Sequence, residues 1–90
     1  MNDLDNFRRK IDAIDDNIVK LLLERFEVVK DVAEYKKERG LEIFQQAREA
    51  EVLKKISDIA DKTENQDYKK YILCVYKTIL ETSKISQGKI

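Results

Sequence analysis

Residues 4–39, LDNFRRKIDAIDDNIVKLLLERFEVVKDVAEYKKER, decide the fold of this chain. Ten positions follow one another at alternating spacings of three and four, which is the seam of a long helix that packs against other helices. They are Leu4, Phe7, Ile11, Ile14, Ile18, Leu21, Arg25, Val28, Val32 and Tyr35. Arg25 alone among them is charged, and burying a guanidinium without a partner is costly. Taken alone, Arg25 therefore indicates either an ion pair with a glutamate of a neighbouring helix or contact with an anionic ligand.

The predicted first helix, from Leu4 to Arg39, is long for a chain of 90 residues. At the standard rise it measures about 54 Å, whereas a compact domain of this length has a diameter of roughly 30 Å. The residues that follow cannot cover such a rod. We therefore expect the helix to pair with the same helix of a second chain, giving an intertwined two-fold homodimer.

Composition narrows the classes of function. The chain has 18 basic and 18 acidic residues and no proline, which favours long helices and does not favour nucleic-acid binding. Histidine is absent, so the commonest general base and the commonest metal ligand are missing. Cys74 is the only cysteine, and no apolar run approaches membrane-spanning length. We expect a single domain over residues 1–90 that is cytoplasmic, binds no membrane and needs no metal.

The rest of the chain predicts two more helices, so the expected fold is all-α with three helices per chain. Asn2 or Asp3 is expected to cap the first helix, and Gly40 to end it in a left-handed conformation. After a connection over Leu41 to Phe44, the second helix is predicted from about Gln45 to Ala60. Its apolar face has Val52, Leu53, Ile56, Ile59 and Ala60, preceded on the same face by Gln45, Arg48 and Glu49.

The third helix is predicted from about Asp67 to Gln87, after a polar loop over Asp61 to Gln66 in which Asn65 is the expected cap. Its apolar face consists of Tyr68, Ile72, Val75, Tyr76, Ile79 and Leu80. The same line continues into the hydroxyl of Ser83 and the carboxamide of Gln87. Each helix therefore has a core stripe that is interrupted or ended by polar groups.

These polar groups indicate a site for a small dianion. Lys36 lies about three full turns beyond Arg25, so the two side chains point the same way about 16 Å apart. Arg8 lies about 25 Å before Arg25 and reaches the same pocket only from an antiparallel partner helix. Taken singly, Arg8, Lys36, Arg48 and Glu49 are more often solvated or helix-end charges, and Ser83 and Gln87 are more often helix-end polar residues. Their convergence from three helices favours a ligand with two carboxylates and a hydroxyl.

The whole chain resembles the all-helical chorismate mutases of the intertwined-dimer type. The resemblance rests on the opening run from Arg8 to Asp15, on Glu24-Arg25 with Lys36 eleven residues later, on Arg48-Glu49, and on Ser83 with Gln87. One position departs from the pattern. Relatives commonly have Asp-Pro before the x-Arg-Glu step, where this chain has Gln45-Gln46-Ala47 before Arg48.

The resemblance implies conversion of chorismate to prephenate, a one-substrate rearrangement without cofactor, in aromatic amino-acid biosynthesis. It implies that Arg25 and the other chain's Arg8 bind the carboxylates, assisted by Ser83. It implies that Lys36 contacts a carboxylate and the ether oxygen, and that Gln87 donates to the same oxygen. Glu49 accepts from the ring hydroxyl, with Arg48 bracing the site. Gln45 can still form a hydrogen bond near that hydroxyl.

Two alternatives stay open at this point. An isochorismate-pyruvate lyase has the same fold and carboxylate clamps, and the connection between the first two helices does not separate the two reactions. A helical dimer without catalytic activity, serving as an interaction or regulatory module, is the other alternative.

Overall fold

A computed structural model describes residues 2–88, which form three α-helices. Helix α1 spans Asp3–Glu38, α2 spans Gln46–Ala60 and α3 spans Gln66–Gln87. The all-α fold class with a long first helix is therefore confirmed. Within the described range, no helix is long and apolar enough to cross a membrane.

Local signals place the ends of α1. The side chain of Asn2 accepts a hydrogen bond from the backbone N–H of Asp5 at 2.8 Å, which confirms the expected N-cap. At the other end Gly40 adopts a φ of 65°, and its N–H donates to the carbonyl of Lys37. The N–H of Leu41 donates to the carbonyl of Lys36 at 2.8 Å. Gly40 suits this pattern because a left-handed conformation strains residues that carry a Cβ.

The starts of α2 and α3 each differ by one residue from the sequence prediction. Gln45 precedes α2 in an extended conformation as its N-cap, so the helix begins at Gln46. Helix α3 begins at Gln66, because the Asn65 side chain accepts from the N–H groups of Asp67 and Tyr68 and so caps the helix as expected.

Helix α3 lies against both α1 and α2, whereas α1 and α2 do not pack on each other within residues 2–88. A groove therefore remains between α1 and α2, with the carboxyl-terminal half of α3 along its floor. The longest dimension of the molecule is 56 Å, which matches the length expected for α1.

The face of α1 that turns toward α3 is not the predicted seam. Leu22, Phe26 and Val29 are half-buried and Ala33 is buried, whereas every described residue from Asn2 to Leu21 is exposed. Only Arg25 among the ten seam positions is half-buried. The chain's own α3 thus covers a stripe beside the seam, and the seam itself stays open to solvent.

Four further core assignments, on α2 and α3, are wrong for the single chain. Ile59 was expected in the core of α2 but is 52% exposed, and on α3 Tyr68, Ile72 and Val75 are also exposed. Helix α3 turns Leu73, Tyr76, Ile79 and Leu80 inward, and these four are half-buried. The period of the apolar positions identifies a helix, but the neighbouring helices decide which part of a broad apolar face is covered.

Candidate active site

A cavity of about 310 Å³ occupies the groove between the helices. Helix α1 contributes Arg25, Val28, Val29, Val32 and Lys36, and the connection to α2 contributes Ile43, Phe44 and Gln45. Helix α2 contributes Arg48, Glu49 and Val52, and α3 contributes Leu80, Ser83, Lys84 and Gln87. Mostly apolar walls with a few convergent polar groups are typical of small-molecule sites. Seven of the eight site residues predicted from the sequence therefore line one cavity.

Arg25 is fixed by a hydrogen bond that crosses from α1 to α3. Its guanidinium donates to the hydroxyl oxygen of Ser83, which is buried with 5% of its surface exposed. The Ser83 hydroxyl in turn donates to the carbonyl of Ile79 at 2.8 Å. Since the hydroxyl proton is directed to the backbone, the Ser83 oxygen is oriented to accept from Arg25.

The ion-pair alternative for Arg25 is not found in the described part of the chain. No carboxylate among residues 2–88 lies within 4.0 Å of its guanidinium. Its recorded partner is the neutral Ser83, so its positive charge is not balanced by an ion pair. A half-buried cation held in place by a neutral group is suited to bind an anion in the cavity.

Lys36 joins three parts of the site. Its ammonium donates to the carboxamide oxygen of Gln87 at 3.2 Å and to the backbone carbonyl of Ile43 at 2.8 Å. Lysine can only donate, so the Gln87 atom that it meets is the carbonyl oxygen. The NH₂ group of Gln87 is consequently the part of the amide that can donate to a ligand.

The amino-terminal turn of α2 supplies the remaining polar wall. Glu49 is half-buried and lines the cavity, and Gln45 lines it as the residue before the helix. Arg48 also lines the cavity, but its guanidinium forms an exposed ion pair with Glu51 at 2.8 Å. Of these side chains, Glu49 presents the acceptor that is best shielded from solvent.

Arg8 does not line this cavity. It lies in the exposed amino-terminal half of α1, about 25 Å along the helix from Arg25. The single chain thus agrees with the expectation that Arg8 cannot serve its own pocket.

Sequence reasoning missed two polar or aromatic members of the cavity, Lys84 and Phe44. Lys84 follows Leu80 by four residues, a spacing that places both on the same face of α3. This spacing is the sequence signal that could have identified Lys84 as a member of the cavity. Phe44 lies in the connection before α2, where helical periodicity gives no information on side-chain direction.

Comparison with known proteins identifies the family of the chain. The sequence profile of the family described as chorismate mutase type II matches residues 7–88. A bifunctional chorismate mutase/prephenate dehydratase of Buchnera aphidicola is 36% identical over 89 residues, which are 99% of this chain and 23% of that protein. This chain therefore spans about a quarter of the bifunctional relative.

Two further relatives differ in coverage. A chorismate mutase of Methanocaldococcus jannaschii is 34% identical over 84 residues, which are 93% of this chain and 83% of that protein. A 3-dehydroquinate dehydratase of Pyrobaculum aerophilum is 39% identical over 51 residues, which are 57% of this chain and 17% of that protein. The family profile and the archaeal relative confirm the resemblance found in the sequence: this chain belongs to the chorismate mutase type II family.

Proposed function

We propose that this chain catalyses the rearrangement of chorismate to prephenate and that the cavity between its helices is the active site. The observation that carries the proposal is the convergence of Arg25, Lys36, Glu49 and Gln87 from three helices on one cavity. The reaction breaks a C–O bond and forms a C–C bond within one molecule. It requires no proton transfer and no covalent intermediate, which suits a chain without histidine.

The first task of the site is to hold the folded, reactive conformer of the substrate. Arg25 presents a planar fork of donors that matches a carboxylate, and its bond to Ser83 fixes the direction of that fork. Holding a flexible substrate in its reactive geometry removes much of the entropic part of a barrier. Arg25 is therefore the main carboxylate clamp, and Ser83 positions it.

The second task is to stabilise the negative charge that develops on the ether oxygen. The Lys36 ammonium and the Gln87 amide NH₂ are the two donors for that oxygen, and their mutual hydrogen bond of 3.2 Å keeps them adjacent. Donors that are already oriented need little reorganisation during the reaction. This pair supplies the larger share of electrostatic catalysis.

The α2 end of the cavity recognises the ring hydroxyl of the substrate. Glu49 is an acceptor at half-buried depth, and Gln45 lies beside it with both donor and acceptor atoms. Arg48, paired with Glu51, braces this end of the cavity. Glu49 is the residue that accepts a hydrogen bond from this hydroxyl.

The active form is a homodimer in which α1 pairs with α1 of a second copy. Large apolar side chains are exposed along the seam of α1, among them Phe7 at 58% and Leu21 at 62% exposure. A patch of this kind is uncommon on a monomer. A second copy is the occupant that suits it, because the stripe follows the three-and-four spacing of helix pairs and an antiparallel α1 brings Arg8 toward the cavity.

The deciding experiment measures prephenate formation from chorismate by the purified chain, with isochorismate assayed in parallel. We expect turnover of chorismate, and losses of at least about 100-fold in Arg25→Ala and Gln87→Ala variants whose helical content by circular dichroism is unchanged. Pyruvate release from isochorismate at a higher kcat/KM contradicts the proposal in favour of a lyase. Inactivity on both isomers contradicts it in favour of a non-catalytic dimer.

A further inference from the structure

Lys84 is a cation of the cavity to which neither the sequence pattern nor the proposed reaction assigns a role. It lies one residue after the buried Ser83 and three before Gln87, in the last turns of α3. It lines the same cavity as Arg25 and Lys36, and the residue itself is exposed to solvent. Lys84 therefore stands at the solvent-facing wall of the site.

The ammonium of Lys84 is held by an aromatic ring. Its Nζ lies 4.2 Å from the centroid of Phe44, which also lines the cavity. A cation over a ring face is attracted by the ring quadrupole, but the ring carries no net charge and does not neutralise the cation. Among residues 2–88, no carboxylate lies within 4.0 Å of this ammonium. The positive charge of Lys84 remains available to a ligand.

The charges that line the cavity point to the kind of ligand that Lys84 would meet. Arg48 is paired with Glu51, which leaves Arg25, Lys36 and Lys84 as cations and, within the described residues, Glu49 as the carboxylate that lines the cavity. One chain therefore presents a formal excess of two positive charges, and the Arg8 that we assign to the second copy adds a third. This excess favours a ligand with two carboxylates. Without Lys84, one chain supplies an excess of one positive charge.

We infer that Lys84 is a further substrate-binding cation, and that Phe44 is the residue that positions it. The inference rests on the proposed function, since it assigns Lys84 to the dianionic substrate of the same cavity. The ring keeps the flexible lysine chain at the wall of the site when the site is free. On binding, the ammonium keeps its contact with the ring and also meets a substrate carboxylate, which lowers KM without acting on the breaking bond.

Steady-state kinetics with chorismate test the role of Lys84. In Lys84→Gln we expect KM to rise about five- to tenfold while kcat stays within about twofold, because an interaction common to ground and transition states is lost. The salt dependence of kcat/KM should weaken as well. Lys77→Gln is the matched control: it removes the same charge from the exposed side of α3 two turns earlier, outside the cavity. Lys84→Arg should keep a KM near that of the wild type.

Phe44 is tested by the split between KM and kcat. Phe44→Leu keeps an apolar side chain but removes the ring, and we expect KM to rise about two- to threefold at constant kcat, whereas Phe44→Tyr keeps the wild-type KM. If Phe44 acts through Lys84, the double variant Lys84→Gln/Phe44→Leu has the KM of Lys84→Gln alone. A double variant whose two effects multiply in full overturns the positioning role.

The outcomes separate this inference from the proposed function. A wild-type chain that is inactive on chorismate overturns both. An active wild type with a KM in Lys84→Gln equal to that in Lys77→Gln overturns this inference alone, as does a loss in kcat at constant KM. Calorimetric titration with prephenate, the dianionic product, supplies a second readout, and we expect its affinity to weaken by the same factor in Lys84→Gln and not in Lys77→Gln.

Discussion

The guanidinium of Arg25 on α1 donates a hydrogen bond to the buried hydroxyl of Ser83 on α3, 58 residues further along the chain. The Ser83 hydroxyl in turn donates a hydrogen bond to the carbonyl of Ile79, one turn back on α3. Arg25, which we assign to a substrate carboxylate, is thus oriented by a side chain that is itself hydrogen-bonded to the backbone of α3. This relationship makes Ser83 a test of whether the direction of Arg25 matters to function.

We expect Ser83→Ala to raise KM for chorismate about five- to tenfold, because Arg25 loses the group that directs its fork. The free energy of unfolding should fall by about 1 kcal/mol, the typical net contribution of one hydrogen bond. Thr82→Ala is the matched control, since the Thr82 hydroxyl donates to the same Ile79 carbonyl at 2.9 Å but does not contact Arg25. Equal changes of KM in both variants contradict the positioning role of Ser83.

The donor role of Gln87 predicts a change in pH dependence. A carboxamide does not titrate, so we expect the wild-type kcat/KM to vary little around neutrality. In Gln87→Glu the new carboxyl has an ordinary pKa of about 4.3, and the nearby Lys36 ammonium lowers that pKa further by stabilising the ionised form.

Because an ionised carboxylate cannot donate, Gln87→Glu should lose about 100-fold in kcat/KM at pH 7 and recover only as the pH falls toward the lowered pKa. A pH series of kcat/KM checks this, with circular dichroism at each pH to verify folding. Full activity of Gln87→Glu at neutral pH contradicts the assignment of Gln87 as a donor.

Lys36 should matter to both chemistry and local structure. We expect Lys36→Met to lower kcat by about 100- to 1,000-fold, because one of two donors to the developing charge is removed. Hydrogen exchange in residues 41–45 should also become faster, since the bond from Lys36 to the Ile43 carbonyl is lost. Lys30→Met, an exposed position on α1 outside the cavity, controls for the loss of charge. Unchanged exchange in Lys36→Met would show that Lys36 does not hold the connection.

Subunit mixing tests the delivery of Arg8 by a second copy. Arg8→Ala and Arg25→Ala should each be inactive, but a mixed dimer contains one site with both arginines intact. Random equimolar exchange therefore restores about a quarter of the wild-type activity. Mixing Arg25→Ala with Gln87→Ala is the control without recovery, because each site then lacks a residue that its own chain supplies. No recovery despite demonstrated exchange would assign Arg8 elsewhere.

The exposed seam of α1 predicts that a single charge there disrupts association. We expect Ile14→Asp to sediment as a monomer at micromolar concentration and to unfold at a lower temperature, because burying a carboxylate in an apolar seam is costly. Ala13→Asp places the same group outside the seam, about 100° around the helix from Ile14, and should leave the assembly intact. Sedimentation velocity of both variants makes the comparison, and a dimeric Ile14→Asp contradicts the pairing through this stripe.

Much of the fold was predictable because its signals are local. Asn2 and Asn65 cap helices with their own side chains, and Gly40 ends α1 in a left-handed conformation, so neighbouring residues alone determine these ends. The spacing from Arg25 to Lys36 likewise follows from the geometry of one helix. The family resemblance then connected residues that are distant in sequence, and seven of the predicted site residues line one cavity.

The sequence by itself determined three helices, their ends and the polar interruption at Arg25, because backbone hydrogen bonds and caps act over a few residues. Only the tertiary structure decided that α3 covers the stripe of Leu22, Phe26 and Ala33 beside the seam, and that Arg25 meets Ser83. It also brought Lys84 over the ring of Phe44. The physical reason is that an apolar face is broader than one contact, so the rotation of each helix is fixed by its packing partners.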